Sequence, residues 1–249
     1  MAQNFLIAES QTALMPEVTH FQVFGERRSG TTYLRVLLEQ NLKIDPVFHY
    51  GWKHGFLSVP AVSSSALLIG VVRDPIDWLI SMHATPFAVL DSIKELPFGG
   101  FIRARWDSVA RPAGQGWRAA GFRQDLSLRG EVLQFDRHPI EGRPFDDIFE
   151  LRRVKLQALL GLTKRVTHAT VIRHEDARDT PAALIQALSK RFNLATEAVI
   201  TVPEGYVGNK SNPKRITRGL ITEEDRNRIK AGLDWDLERR FGYAPDFSE

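Results

Sequence analysis

Short apolar runs alternate with amphipathic stretches along the chain, and this alternation predicts strands that are each followed by a helix. His20–Phe24 is short and β-prone, and from Thr31 to Asn41 leucines recur at helical spacing. The run Ala66–Val72 is continuously apolar, as expected for a parallel strand that is covered on both faces. We therefore expect a three-layer α/β/α fold with a central parallel sheet.

The rest of the chain continues this pattern with one interruption. A third strand is predicted at 169–173, and amphipathic helices are predicted at 75–83, 146–162, 180–192 and 222–241. Between about 85 and 145, glycine, proline, tryptophan and arginine are mixed with only short apolar runs. This stretch is interpreted as an irregular insertion or lid without a core of its own. We expect a single domain over residues 1–249.

A glycine-rich segment joins the first strand to the first helix. Gly25-Glu-Arg-Arg-Ser-Gly30-Thr31-Thr32 is close to the P-loop pattern G-x-x-x-x-G-K-[ST], but threonine stands at the lysine position. Free backbone N–H groups at a helix N-terminus favour an anion. Positive charge appears instead at Arg28, which can face the end group of a bound nucleotide, while Arg27 faces either the same group or solvent. We therefore expect a P-loop nucleotide-hydrolase-like fold. In its loop, the positive charge stands at Arg28 instead of at the usual lysine position.

A second anion element is predicted at the next strand–helix junction. Arg73 follows the apolar run, Asp74 and Pro75 are typical of a helix start, and Ser81 lies eight residues after the arginine. Open α/β sheets bind ligands at the carboxyl ends of their strands. Arg73 and Ser81 can therefore share a second phosphate of the same ligand.

Composition adds few restrictions. The 249 residues carry a net charge of +3 and no cysteine, which excludes disulfides, cysteine-ligated zinc and thiol catalysis. Residues 101–130 hold six arginines against two acids, and residues 205–219 hold four cations and no acid. Each stretch is either an anion site or a solvated basic face. No apolar run reaches membrane length and no signal-peptide pattern is present, so we expect a cytoplasmic protein without a transmembrane segment.

Together these motifs resemble the sulfotransferases that use 3′-phosphoadenosine 5′-phosphosulfate (PAPS). Their 5′-phosphosulfate loop reads P-K-S-G-T-T-W-L, against R-R-S-G-T-T-Y-L at residues 27–34. Their 3′-phosphate element R-[ND]-P-x-[DE]-x-x-x-S is matched by residues 73–81, and their V-R-Y-E-D-L strand end resembles V-I-R-H-E-D-A at 171–177. The resemblance implies transfer of a sulfuryl group from PAPS to an acceptor hydroxyl, with adenosine 3′,5′-bisphosphate as product and no metal. A carbohydrate is one candidate acceptor.

The resemblance also implies which residues bind the donor. The 3′-phosphate falls to Arg73 and Ser81. The family's C-terminal R-K-G-x-x-G element is absent in that form, and a basic loop containing Lys210, Lys214 and Arg215 is the candidate replacement. The residues expected to bind the 5′-phosphosulfate are Arg27, Arg28, Ser29, Gly30, Thr31 and Thr32.

Catalytic roles follow from the same comparison. Arg28 replaces the family lysine and is expected to stabilise the departing oxygen, as a planar fork rather than a point charge. Lys53-His54-Gly55 is similar to the family's K-x-H element, so Lys53 is expected to hold the transferring group and His54 to act as base. His49 and Glu175 are alternative bases. The alternative for His54 is a histidine whose hydrogen bonds are satisfied by loop backbone.

Other function classes fit less well. The histidines are too scattered for a zinc site, no G-x-S-x-G nucleophile elbow is present, and nucleic-acid binding would not explain two phosphate elements. A nucleotide or small-molecule kinase with a degenerate P-loop shares the sheet and the loop, and would need magnesium. A catalytically silent nucleotide-binding protein is the third possibility, in which His54 would be replaceable without loss.

Overall fold

A five-stranded, mostly parallel sheet forms the centre of the computed structural model, which describes residues 5–10, 17–110, 130–204 and 217–248. The strands are β1 (Ala8–Glu9), β2 (His20–Phe24), β3 (Asp45–Pro46), β4 (Ala66–Val72) and β5 (His168–Arg173). Their spatial order is β1-β5-β4-β2-β3, and β1 alone of these five runs antiparallel to its neighbour. The α/β class and the predicted parallel sheet are therefore confirmed.

The strand order creates a topological switch point between β2 and β4. The chain leaves β2 towards β3 on one side, and β4 pairs with β5 on the other side. The two strands are paired in parallel over their whole common length, from His20 opposite Ala66 to Phe24 opposite Gly70. Ligands bind open α/β sheets at such a point, outside the carboxyl ends of the strands. A ligand site is therefore expected at the residues that follow β2 and β4.

Helices accompany the strands along the chain. In the described residues they are α1 (Thr31–Asn41), α2 (Pro75–Ala84), α3 (Asp91–Lys94), α4 (Phe98–Arg103), α5 (Ile148–Arg165), α6 (His174–Asp179), α7 (Pro181–Phe192), α8 (Glu223–Gly232) and α9 (Trp235–Arg239). Short 3₁₀ helices lie at Gln134–Asp136 and Arg218–Leu220.

The core around the sheet follows from the apolar pattern. Leu67, Ile69 and Val71 of β4 belong to one buried cluster with the leucines of α1 and with Leu184 and Leu188 of α7. Gly70, on the alternate side of β4, approaches Leu159 of α5. Continuous burial of every residue of β4 thus agrees with a central strand that is covered on both faces.

The chain divides into two compact units. The first comprises Met1–Asp74 with Gln157–Ser211 and contains the sheet, and the second comprises Pro75–Leu156 with Asn212–Glu249. The prediction of one domain over residues 1–249 stays a prediction. Among the described residues, no helix combines the length and apolar character that crossing a membrane requires.

The segment predicted as an irregular insertion is more ordered than its sequence indicated. Its described parts contain α3, α4 and the 3₁₀ helix Gln134–Asp136. Trp106 and Phe145 are fully buried and exchange two backbone hydrogen bonds, of 2.9 and 3.0 Å. Phe101 packs edge-on against Trp106, with ring centroids 5.6 Å apart. The backbone pairing of Trp106 with Phe145 joins positions far apart in sequence, so local periodicity could not predict it.

The helix predicted over 222–241 is two helices. Leu233 takes an extended conformation (φ −76°, ψ 140°) after α8, and the Asp234 carboxylate accepts a hydrogen bond from the N–H of Leu237 at the start of α9. Asp234 is therefore an N-cap rather than an interior helical residue.

Candidate functional site

The segment from Gly25 to Thr32, here called the 25–32 loop, leaves β2 at the switch point. The Gly25 N–H donates to the Lys53 carbonyl oxygen over 2.9 Å. A Cβ at residue 25 would lie 2.5 Å from the carbonyl oxygen of Val71 in β4, so only glycine allows this approach. The loop thus lies directly beside the carboxyl ends of both strands.

Two left-handed residues shape the loop. Arg28 has φ of 66° and Gly30 has φ of 87°, and the Ser29 N–H donates back to the Glu26 carbonyl oxygen over 3.1 Å. Alternation of right- and left-handed residues turns successive N–H groups towards one concave face, which is an anion-binding arrangement. A left-handed conformation costs a non-glycine residue of the order of 1–3 kcal/mol, so Arg28 stores strain at the centre of the candidate site.

Helix α1 begins at Thr31, so its first two residues are also the last two of the 25–32 loop. Gly30 provides no side-chain cap, and the first turn of α1 contains no acidic residue. The eleven residues of α1 carry a dipole whose positive end lies at Thr31 and Thr32. The backbone at this end is therefore suited to an anion, in agreement with the sequence pattern.

Lys53 brings a cation to this helix end. Its Nζ donates to the Thr32 hydroxyl over 2.8 Å, although the two residues are 21 positions apart. Burial, and secondly the charge of Arg35, lowers the pKa of Lys53 to about 8. At pH 7 the amine is therefore still mostly charged. The P-loop pattern carries a lysine that this loop lacks. Lys53, from a segment outside the loop, supplies a cation beside Thr32.

Arg73 joins the second predicted anion element to the loop. It follows the last residue of β4, and its Nη1 donates to the carbonyl oxygen of Arg28 over 3.2 Å. The guanidinium thus lies beside the strained residue of the loop. Ser81, predicted as the partner of Arg73, is buried within α2 and belongs to the second unit. Their joint action on a phosphate stays a prediction from the sequence spacing.

Arg27 does not point to solvent, which had been one of its two predicted orientations. It is 1% exposed, and its Nε donates to Glu26 Oε1 over 2.7 Å. Its guanidinium carbon lies 5.5 Å from the centre of the Trp52 ring. This buried ion pair packs on the Trp52 ring and so supports the loop from the protein interior. The sequence comparison did not assign this role to Arg27.

His54, the favoured base, lies under the start of the loop. Its Nδ1 is 2.8 Å from the carbonyl oxygen of Gly25, to which it donates, and its ring meets the Trp52 ring edge-on with centroids 5.5 Å apart. A neutral ring that donates from Nδ1 carries its lone pair on Nε2. The same contact is the loop-backbone hydrogen bond expected of a purely structural histidine, so the role of His54 as base stays a prediction.

The alternative bases have other surroundings. Glu175 accepts a hydrogen bond from the Asp74 backbone N–H over 3.0 Å, which is the capping role expected of a carboxylate at a strand end. His49 is exposed and packs on Tyr50, with ring centroids 4.4 Å apart.

Sequence reasoning missed His174, the first residue of α6. A Cβ at Gly30 would lie 2.2 Å from His174 Nδ1. The imidazole therefore packs directly against the glycine that precedes α1. Its only signal in the sequence is its place between Arg173 and Glu175, where the similar family motif carries tyrosine.

The basic stretches are only partly described. Arg103 forms ion pairs with Glu224 and Asp225 at 2.8 and 2.9 Å, so it contributes to the packing of the second unit. Of the other cations in the two stretches, Arg105 is exposed and Arg218 pairs with Asp77 at 3.0 Å. Those outside the described residues are Lys210, Lys214, Arg215 and the arginines at 111, 118, 123 and 129.

Comparisons with known proteins supply no family for this chain. No family model matches it, and no curated protein matches it. In the described part of the chain, no group of three or more histidine or carboxylate side chains is arranged to hold a metal ion.

Proposed function

We propose that the protein transfers a sulfuryl group from PAPS to an acceptor hydroxyl, as a P-loop-like α/β enzyme. The observation that supports this most is the contact between Lys53 Nζ and the Thr32 hydroxyl. It sets a cation against the N-terminus of α1, at the end of a loop with two left-handed residues. A loop of this shape with a cation from outside it suits the phosphosulfate of a nucleotide donor.

Donor binding is divided between two elements. The backbone N–H groups from Arg28 to Thr32, with the threonine hydroxyls, bind the 5′-phosphosulfate in this proposal. Arg73 binds the 3′-phosphate with Ser81, and its hydrogen bond to the Arg28 carbonyl oxygen ties the two elements together. Lys210, Lys214 and Arg215 remain proposed ligands from the sequence.

The chemical step forms one S–O bond and breaks another. The acceptor oxygen attacks sulfur, and the bond between sulfur and the bridging phosphate oxygen breaks. Adenosine 3′,5′-bisphosphate leaves with the electron pair. Negative charge grows on the bridging oxygen, and fixed donors there lower the barrier. Arg28 and Lys53 are the cations proposed for this task.

The acceptor proton passes to His54 in this proposal. The Nδ1 hydrogen bond to Gly25 holds the ring so that Nε2 carries the lone pair. We expect His54→Ala to lower turnover by about two to four powers of ten while adenosine 3′,5′-bisphosphate affinity stays nearly unchanged. The measurement is release of that product from PAPS with a panel of hydroxyl acceptors. His49→Ala is the matched control; a larger loss there would transfer the role to His49.

A kinase acting through the same loop is the second candidate, and Lys53 favours it as well. A cation beside the first turn of α1 would serve a γ-phosphate as readily as a sulfuryl group. The kinase would bind ATP with magnesium through the loop, and would not require Arg73 to face a 3′-phosphate. The donor therefore distinguishes the two functions.

Calorimetric titration of four nucleotides tests the proposal. We expect adenosine 3′,5′-bisphosphate to bind at least tenfold more tightly than 5′-AMP, ADP or ATP-magnesium. Arg73→Ala should remove the preference for the 3′-phosphate without abolishing 5′-AMP binding. Equal affinity for the bisphosphate and 5′-AMP would contradict the assignment of Arg73 and Ser81. A clear preference for ATP-magnesium would favour the kinase.

A further inference from the structure

His174 is a half-buried histidine that the proposed chemistry does not use. Its Nδ1 is inaccessible to solvent and has no hydrogen-bond partner among the described residues. The same atom faces Gly30, at the junction between the 25–32 loop and α1. A buried polar atom without a partner costs stability, so its position next to a candidate anion site calls for a physical reason.

The ring is held between the loop and α1. Tyr33 meets it edge-on, with ring centroids 5.9 Å apart, and Gly30 leaves room for it only because glycine has no Cβ. The imidazole thus fills the space next to the left-handed residue that turns the chain into α1. Moving the ring would change the environment of that turn.

Burial and the cations around the ring oppose its protonation. Burial, followed by the charge of Arg73, lowers the pKa of His174 to about 4. Arg178 acts in the same direction, and the carboxylates of Glu175 and Asp179 act against it. Tyr33 is the other titratable group in contact, and burial raises its pKa above the ordinary value, so it is neutral at pH 7.

We propose that His174 is a positioning residue of the 25–32 loop, whose ring takes up a proton from solvent when an anion occupies the loop. A bound anion offsets the charge of Arg73 and adds a negative charge beside the imidazole. Both effects favour the charged ring. Anion binding and protonation are then reciprocally linked, so lower pH strengthens binding through His174.

This inference rests on the proposed function only in taking the loop as an anion site. Inorganic sulfate is a suitable probe, because it stays a dianion from about pH 3.5 to 7.5, as a phosphate does not. The ring resonances of His174 are followed by NMR over this range, with sulfate or with chloride at equal ionic strength. An opposite charge within about 4–6 Å shifts a pKa by about 1–3 units. We expect sulfate to raise the midpoint of the His174 titration by at least about one unit.

Variants then separate the possible outcomes. Wild type should bind sulfate several-fold more tightly at about pH 4 than at pH 7.5, and His174→Gln should lose this difference. His20→Gln is the matched control, because His20 also has a lowered pKa but stands at the opposite end of β2 from the loop. It should keep the difference.

Sulfate binding that Arg28→Ala removes, but whose pH dependence survives in His174→Gln, overturns the inference and leaves the proposed function standing. Absence of sulfate and bisphosphate binding at either pH overturns both. If His174→Gln fails to fold, the NMR titration of the wild-type ring decides alone, and an unchanged midpoint in sulfate contradicts the inference.

Discussion

At the scale of single residues, the left-handed conformation of Arg28 affects stability, whereas its guanidinium is proposed to affect turnover. Two substitutions separate these contributions. Replacement by glycine or alanine removes the guanidinium in both cases, but only glycine adopts φ of 66° without strain. We expect the free energy of unfolding of Arg28→Gly to be about 1 kcal/mol higher than that of Arg28→Ala. Both should lose about two to three powers of ten in turnover, and Arg28→Lys should retain part of the rate.

Chemical denaturation and product release from PAPS are the two measurements for this prediction. Equal stability of the glycine and alanine variants would mean that the left-handed conformation is not retained in solution. A turnover loss confined to subsaturating donor would reduce Arg28 to an anchor for the donor.

The lowered pKa of Lys53 gives donor binding a basic limit. Below about pH 8 the folded protein carries the charged amine, and above it the amine is neutral. The affinity for adenosine 3′,5′-bisphosphate should therefore fall as the pH rises through about 8. Lys53→Arg should shift this fall to much higher pH, because the guanidinium does not titrate there.

Lys53→Ala should weaken bisphosphate binding by about tenfold to a hundredfold, the scale of one hydrogen bond to a charged group. Exposed Lys43 provides the matched control, and Lys43→Ala should leave the affinity unchanged. Titration calorimetry from pH 6.5 to 9.5 measures both effects. A flat pH profile in the wild type would separate Lys53 from the donor.

The amino-acid sequence predicted only part of this site. Gly25, Gly30 and the threonines were readable because the loop pattern is local and contiguous. The contact of Lys53 with Thr32 was not readable, because the rest of α1 and all of β3 separate the two residues along the chain. The burial of Arg27 on Trp52 was missed for the same reason, since in sequence Arg27 is indistinguishable from its half-buried neighbour Arg28.

At the scale of elements, the cap of α9 fixes where the C-terminal helical region breaks. Asp234 accepts from the Leu237 N–H over 3.0 Å. Asp234→Ala should lower the free energy of unfolding by about 1 kcal/mol, the usual loss for an N-cap carboxylate. Asp236→Ala, which removes an exposed carboxylate from the same helix, is the control and should cost much less. Denaturant titration measures the pair, and equal losses would contradict the capping role.

Element prediction succeeded where the pattern was long. The strands at 20–24 and 66–72 and the helix at 31–41 coincide with β2, β4 and α1, because burial on one or both faces dictates their apolar residues. Strands β1 and β3 were missed, since two residues cannot show a period. The break at Leu233 was missed because glutamate, arginine and aspartate continue the helical composition across it.

At the scale of the whole molecule, a buried ion pair joins distant parts of the second unit. Arg152 of α5 and Glu238 of α9 are 3% and 2% exposed, and Nη2 lies 2.8 Å from Oε2. The guanidinium carbon also lies 4.9 Å from the centre of the Trp78 ring. Arg152→Met leaves the Glu238 carboxylate in an apolar environment without this cation, and should cost about 3–5 kcal/mol.

Arg152→Met combined with Glu238→Leu should recover most of that loss, because the pair is then replaced by apolar groups. Arg178→Met, which breaks an exposed pair with Asp179, should cost less than about 1 kcal/mol. Chemical denaturation of the wild type and these three variants measures the differences. A double variant no more stable than Arg152→Met would show that packing on Trp78, rather than charge, carries the effect.

The shortness of the two edge strands also bears on colloidal behaviour. A sheet edge exposes unpaired N–H and C=O groups, which invite strands from other molecules and lead to aggregation. Here β1 and β3 are two residues long, and Pro46 in β3 has no N–H to offer an incoming strand. The central strands that would nucleate a fibril, β2, β4 and β5, each have a neighbour on both sides. Concentrated solutions of the folded protein should accordingly resist growth of intermolecular β-structure until β1 or β3 is displaced.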